Sequence, residues 1–137
     1  MPAIILNLRI DWSEMDLFGH VNNVAFMKYV QAARVNYWEH IGLSKMHENQ
    51  KRGPILASTS CTFLKPLFYP GHVQIQTTIE FIKTTSFGLH HKLFNEKKEL
   101  VAEAHDVVVM FDFNVNSKME IPQEIREVIN SMGTEKK

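Results

Sequence analysis

The chain has 137 residues, 45% hydrophobic and 22% charged, with a formal net charge of zero. This is the composition of a soluble globular protein with enough chain for one core. It gives no electrostatic pull on nucleic acid, and no apolar run is long enough to span a membrane.

The opening residues, Met1 to Arg9, lack the basic region and cleavage site of a secretory signal. Residues 4–10 read as a first strand, and 11–22 as a polar, turn-like stretch broken by Trp12, Met15, Leu17 and Phe18. Apolar residues then recur at Val24, Met27, Val30, Ala33, Tyr37 and Ile41, the three-and-four spacing of a helix about five turns long. Asn22 or Asn23 can cap its start, and Gly42 suits the position after its last turn. Residues 44–53 read as a polar connection ending in Gly53-Pro54.

The period then changes to two. Ile55, Ala57, Thr59, Cys61 and Phe63 alternate with Leu56, Ser58, Ser60 and Thr62. Val73, Ile75, Thr77, Ile79 and Phe81 do the same against polar neighbours. Residues 86–96 and 100–113 form two more strands, joined by a polar turn at 95–99. His90 and His91 are adjacent in the first of these and point to opposite faces. Pro122 opens a final helix with Ile125, Val128, Ile129 and Met132 on one face, and 134–137 read as a frayed tail. The order is strand, long helix, four strands, short helix. With no crossover helices among the later strands, the sheet should be largely antiparallel, an α+β arrangement.

Cys61, the single cysteine, permits no intrachain disulfide and points to a reducing compartment. In its strand it reads as a small buried hydrophobe. No pair of His or Cys residues has metal-ligand spacing along the chain, so no metal is expected.

The most informative segment is Asp16-Leu-Phe-Gly-His20-Val-Asn-Asn23. It delivers a carboxylate and an imidazole to a helix N-terminus, where unpaired N–H groups favour negative charge. Chemistry that builds an oxyanion wants this arrangement. Asp16 could act as general base, act as nucleophile, or simply close an Asx-turn or cap the helix. Gly19 would let backbone approach a reacting group closely. His20 could polarise a carbonyl, move a proton, or only bind the loop.

The segment extends through Val-Ala-Phe-Met-Lys-Tyr-Val-Gln-Ala-Ala-Arg34. In that form it resembles the aspartate-plus-helix signature of the 4-hydroxybenzoyl-CoA thioesterase-like acyl-CoA thioesterases. Phe63-Leu-Lys-Pro66 and Gly71-His-Val-Gln-Ile-Gln-Thr77 resemble their second and third strands. Lys83-Thr-Thr-Ser-Phe87 resembles the tract that receives the CoA end. His72 departs from the acidic residue common after the glycine of the third strand. Phe18 stands where the plant acyl-carrier-protein thioesterases use an additional Asn.

The resemblance implies the hotdog fold, with one long central helix wrapped by a five-strand, mainly antiparallel sheet, and a short C-terminal helix. Residues 1–137 would form one thioesterase domain. It implies a cytoplasmic acyl-CoA thioesterase of lipid metabolism, using no cofactor and assembling as a homodimer or homotetramer. Asp16, His20 and Asn23 would be catalytic, with the Asn23 N–H as oxyanion donor. Gly19 and Phe18 would border the substrate. Ser58, Thr59 and Ser60 would face Asp16 across the dimer interface. Lys83, Thr85 and Ser86 would receive the CoA end, a cation and hydroxyls suited to phosphate and pantetheine. The rivals are an acyl-carrier-protein thioesterase and a non-catalytic hotdog that only binds an acyl thioester.

Overall fold

The computed structural model describes residues 3–132. The opening Met1-Pro2 and the tail at 134–137 lie outside the described residues. Strand β1 is Ile4–Arg9, followed by a single 3₁₀ turn at Trp12–Glu14 and helix α1 at Asn23–Ile41. Helix α2 is Leu43–Gln50. Strands β2 (Arg52–Phe63), β3 (His72–Ile82), β4 (Ser86–Phe94) and β5 (Leu100–Asp112) come next. A two-residue β6, Ser117–Lys118, precedes helix α3 at Gln123–Met132.

The sheet runs β1-β3-β4-β5-β2, every pairing antiparallel, with β6 added beside β5. This is the hotdog architecture, with α1 laid along one face. Asn22 caps α1 by accepting a 2.7 Å hydrogen bond from the Ala25 N–H, and Gly42, at φ 88°, ends it. The first half of α1 buries Ala25, Phe26, Tyr29, Val30 and Ala33 against Val73, Ile75, Leu93 and Ala104. Its second half buries Tyr37 and Ile41 against Ile79, Phe87, Leu89 and Val108. Each large apolar side chain so placed contributes about 1.5–3 kcal/mol.

One sequence expectation is corrected. Most of the polar connection at 44–53 is α2, whose Leu43 and Met46 are three apart and buried while its other residues are exposed. Two apolar residues on one face are too few to register as a periodic pattern, yet enough to dock a short helix. The five-strand antiparallel path is as expected, and the two-residue β6 lies off it beside β5.

Strand β2 differs from its alternating pattern in a different way. Residues 55–60 are exposed on both faces, because β2 is a sheet edge paired only with β5. A register shift between Leu56 and Ser58 leaves Ala57 unpaired, and Pro54 is tolerated in the strand because an edge needs fewer donors. No helix among the described residues is long and apolar enough to cross a membrane.

Candidate active site

The segment between β1 and α1 is held by local hydrogen bonds before any packing is counted. Asp11 accepts from the Ser13 N–H, and the Asp11 N–H donates to Glu14 Oε1 at 2.9 Å, a reciprocal cap. The Glu14 side chain is buried and accepts 2.7 Å from the Tyr29 hydroxyl and 3.3 Å from the Lys28 ammonium. Burial alone would raise the Glu14 pKa, but the donations from Tyr29, Asp11 and Lys28 outweigh it and hold it below its ordinary value. The loop is thereby tied to the second turn of α1.

Met15 and Val21 form an isolated antiparallel bridge that closes the loop at 16–20. Inside it the Asp16 N–H donates to the His20 carbonyl at 2.6 Å. Asp16 Oδ1 accepts from the Phe18 N–H at 2.9 Å and the His20 N–H at 3.0 Å. Gly19 has φ 83° with nothing within 4 Å of a Cβ built on it. Glycine is required there by backbone conformation, not by a close approach.

The Asx-turn reading of Asp16 is therefore observed, but it engages one oxygen only. Oδ2 has no hydrogen-bond partner among the described residues, so the loop fixes the carboxylate and leaves one edge open. At the adjacent helix start the Ala25 and Phe26 N–H groups are satisfied by Asn22. Those of Asn23 and Val24 have no partner among the described residues. A half-committed carboxylate and one residue with an unpaired N–H, Asn23, thus line the same cleft.

Asp16, His20, Val21, Asn23 and Phe26 line an open cleft of about 270 Å³ together with residues 63–66. The His20 ring rests edge-on against Phe68, centroids 5.2 Å apart, and its nitrogens make no hydrogen bond among the described residues. Around the cleft Leu17, Phe18 and Val24 are 93%, 79% and 71% exposed. Trp12, Leu17 and Phe18 are thus surface groups, while Met15 packs against the core. A hollow of about 320 Å³ lined by Leu67, Phe68 and Gly71 has no carboxylate at a helix start.

The other anticipated residues lie elsewhere in the subunit. Ser58, Thr59 and Ser60 pair with Val107, Asp106 and His105 on the exposed edge and do not line the cleft. Lys83, Thr85 and Ser86 form the β3–β4 turn, closed by the Lys83 N–H to the Ser86 carbonyl at 2.8 Å. Arg126 of α3 braces the turn through the Lys83 and Thr84 carbonyls, and the Lys83 ammonium sits 5.1 Å from the Phe81 ring centroid. Phe87, next in sequence, packs on Trp38 near the C-terminal end of α1. The turn therefore lies at the opposite end of the helix from Asp16, about 28 Å by the rise per residue.

A buried polar network was not read from the sequence. Asp106 accepts from Arg34 Nε at 2.9 Å and Nη2 at 3.2 Å, and His91 Nε2 lies 2.6 Å from it. Thr77 Oγ1 is 2.8 Å from His91 Nδ1, and the Thr59 hydroxyl also reaches Asp106. Burial would raise the Asp106 pKa, but donation from His91, Arg34 and Thr59 drives it far below the carboxylate range. The one available signal was the adjacency of His90 and His91, which requires one ring to turn inward. Cys61 is half-buried and its thiol is pushed up by burial, as a structural cysteine should be.

The family model described as "Thioesterase-like superfamily" matches residues 10–129. An Arabidopsis thaliana protein named chloroplastic acyl-acyl carrier protein thioesterase ATL3 is 29% identical over 124 residues, 88% of this chain and 64% of its own. The chain spans 54% and 64% of the lengths of the two curated relatives it matches. Among solved structures, the PA2801 protein of Pseudomonas aeruginosa superposes with a TM-score of 0.82 at 28% identity, covering 91% of this chain and 96% of that one. A DHNA-CoA thioesterase of Staphylococcus aureus gives 0.85 at 18% identity, over 96% and 91% of the two chains. At that identity the likeness bears on the fold alone.

Proposed function

We propose that this chain, which belongs to the Thioesterase-like superfamily, is a thioester hydrolase whose substrate is an acyl-CoA, fatty acyl first among the candidates. One observation carries the reading. Asp16 has one oxygen pinned by two main-chain N–H groups and the other open, and it lines the same cleft as Asn23, whose N–H is unpaired among the described residues.

As a base, the open oxygen takes a proton from water, and the hydroxide attacks the thioester carbon. As a nucleophile, it attacks directly, and water opens the resulting anhydride. In both routes the carbonyl oxygen becomes an oxyanion that the Asn23 N–H can receive. Removing such a donor typically costs about 3 kcal/mol in a barrier. Collapse breaks the C–S bond, and the CoA sulfur leaves as thiolate and takes up a proton. The His20 ring, in the same cleft, is placed to polarise the carbonyl or carry that proton. Gly19 and Phe18 border the acyl group.

The residues that do not meet in one subunit can meet in two. Strand β2 presents an unpaired edge with Ile55 and Leu56 each 37% exposed, and the cleft is ringed by exposed apolar side chains. Two-fold pairing of these edges would cover both. It would bring Ser58, Thr59 and Ser60 of the partner subunit toward Asp16. It would also bring the opposite end of the sheet, with Lys83, Thr85 and Ser86 of the partner subunit, toward the mouth of the cleft. In this reading residues 1–137 act as one domain in a homodimer or homotetramer, without a cofactor in the reaction. The single cysteine favours the cytoplasm as the place of action, and a fatty acid product would enter lipid metabolism.

The Arabidopsis relative favours a second reading, in which the acyl group arrives on acyl carrier protein. Hydrolysis of a panel of acyl-CoAs and acyl-carrier-protein thioesters, followed by free-thiol detection, tests both. Faster release from acyl-CoA supports the first reading. Release from the carrier protein alone supports the second, and tight binding with no release would leave only a non-catalytic role.

A further inference from the structure

The outer face of the sheet, turned away from α1, holds a second group of ligating side chains. His91 points inward to Asp106, so His90 beside it points outward. His90 on β4 stands directly across from His105 on β5. Glu103 is two residues before His105 and shares its face. Thr78 of β3 is in register with His90, and Glu80 lies two residues beyond it on the same strand. Strand pairing thus gathers two imidazoles and two carboxylates from three strands.

The contacts are close. His90 Nε2 lies 2.8 Å from Glu103 Oε1, and His105 Nδ1 lies 3.1 Å from Glu80 Oε1. The two rings stack with centroids 4.4 Å apart and planes 10° from parallel. One ligand atom from each of His90, Glu103 and His105 lies within 4.8 Å of the others.

We propose that this cluster binds a divalent transition-metal ion such as Zn²⁺, with His90, Glu103 and His105 as protein ligands and Glu80 orienting the His105 ring. Two imidazoles and a carboxylate are the donor set that suits such an ion. Donors around it stand about 3.3 Å apart for metal–ligand distances near 2 Å. The observed separations must therefore close by at most about 1.5 Å. The stack must also open, since two parallel rings cannot both aim at one ion. His105 can turn, with its side chain 46% exposed, and Glu103, at 33%, can follow. His90, at 9%, supplies the fixed ligand. A carboxylate on the second nitrogen of a ligating ring fixes its orientation, and Glu80 occupies that position.

The test uses the full chain and Zn²⁺ alone. Equilibrium dialysis with metal analysis should find about one ion per chain. His105→Ala and Glu103→Gln should each weaken retention at least about tenfold, as loss of even an orienting partner does. His72→Ala, at an exposed histidine elsewhere, should leave it unchanged. Co²⁺ in place of Zn²⁺ should give a visible absorption band that His105→Ala abolishes. Both altered residues are partly exposed, and circular dichroism checks that the variants fold. No retained Zn²⁺, or equal retention by the wild type and both cluster variants, overturns the site.

Discussion

The Tyr29 hydroxyl donates a 2.7 Å hydrogen bond to Glu14, joining the loop that presents Asp16 to the helix whose N-terminus faces it. The carboxylate proposed to react and the N–H group proposed to receive the oxyanion come from two elements, so their separation depends on this tie. Tyr29→Phe leaves Glu14 buried with one donor fewer, a cost of about 1–3 kcal/mol in stability. The expected kinetic result is a fall in kcat larger than any rise in KM, because geometry and not substrate contact is lost. Urea melts with steady-state assays check both halves. The pH dependence has a definite sign: the Glu14 pKa is lowered in the folded state. Its contribution is therefore present above the ordinary carboxylate range and lost as pH falls through the folded value.

Asp16→Asn should keep the loop, because an amide oxygen can still accept from the Phe18 and His20 N–H groups. It removes the basic and nucleophilic edge. Turnover should drop at least about a hundredfold, the scale of a lost acid–base group, while acyl-CoA binding persists. Near-normal turnover in the folded variant would remove Asp16 from the mechanism.

The loop and helix start were legible because their signals are local. Caps, turn residues and a three-four apolar period act within a few residues, and Asn22, Gly19 and Gly42 hold those positions. Helix α2 was missed because two buried side chains in eight residues leave no period to read. The Arg34–Asp106–His91 network was missed for another reason. Its members are 72 and 15 residues apart in sequence, and only the register of β4 with β5 and the seating of α1 bring them together.

That network makes its own prediction. Asp106 is fully buried and holds Arg34, His91 and the Thr59 hydroxyl, so removing its charge leaves Arg34 uncompensated. Asp106→Asn should destabilise the fold by about 3–5 kcal/mol, read as a lowered urea midpoint. With the folded-state pKa far below the ordinary value, the wild type should lose this stability only in strong acid, as pH falls toward that depressed value. A variant with an unchanged midpoint would show that the network contributes no net stability.

Assembly is tested at the β2 edge. Leu56 is exposed on an edge strand, and a charge there opposes edge-to-edge pairing. Sedimentation at micromolar protein should show the wild type as a dimer or larger. Leu56→Lys should shift it toward monomer and lower activity in parallel. Full activity in a demonstrated monomer would contradict a site shared between subunits.

Lys83 tests the direction from which CoA enters. Within one subunit its turn lies at the far end of α1 from Asp16, so a CoA contact there requires the partner subunit. The ammonium presently rests over the Phe81 ring and makes no ion pair among the described residues, leaving it available to a phosphate. An exposed charge-assisted contact of this kind is modest and weakened by salt. Lys83→Ala should raise KM for acyl-CoA a few-fold with little change in kcat, because the nucleotide end is held equally in ground and transition states. The effect should shrink at high salt, and shrink again for an acyl-pantetheine thioester that lacks the nucleotide. An equal penalty on both substrates would place the role of Lys83 in the turn or the acyl end, and CoA would then have to enter from another side of the cleft.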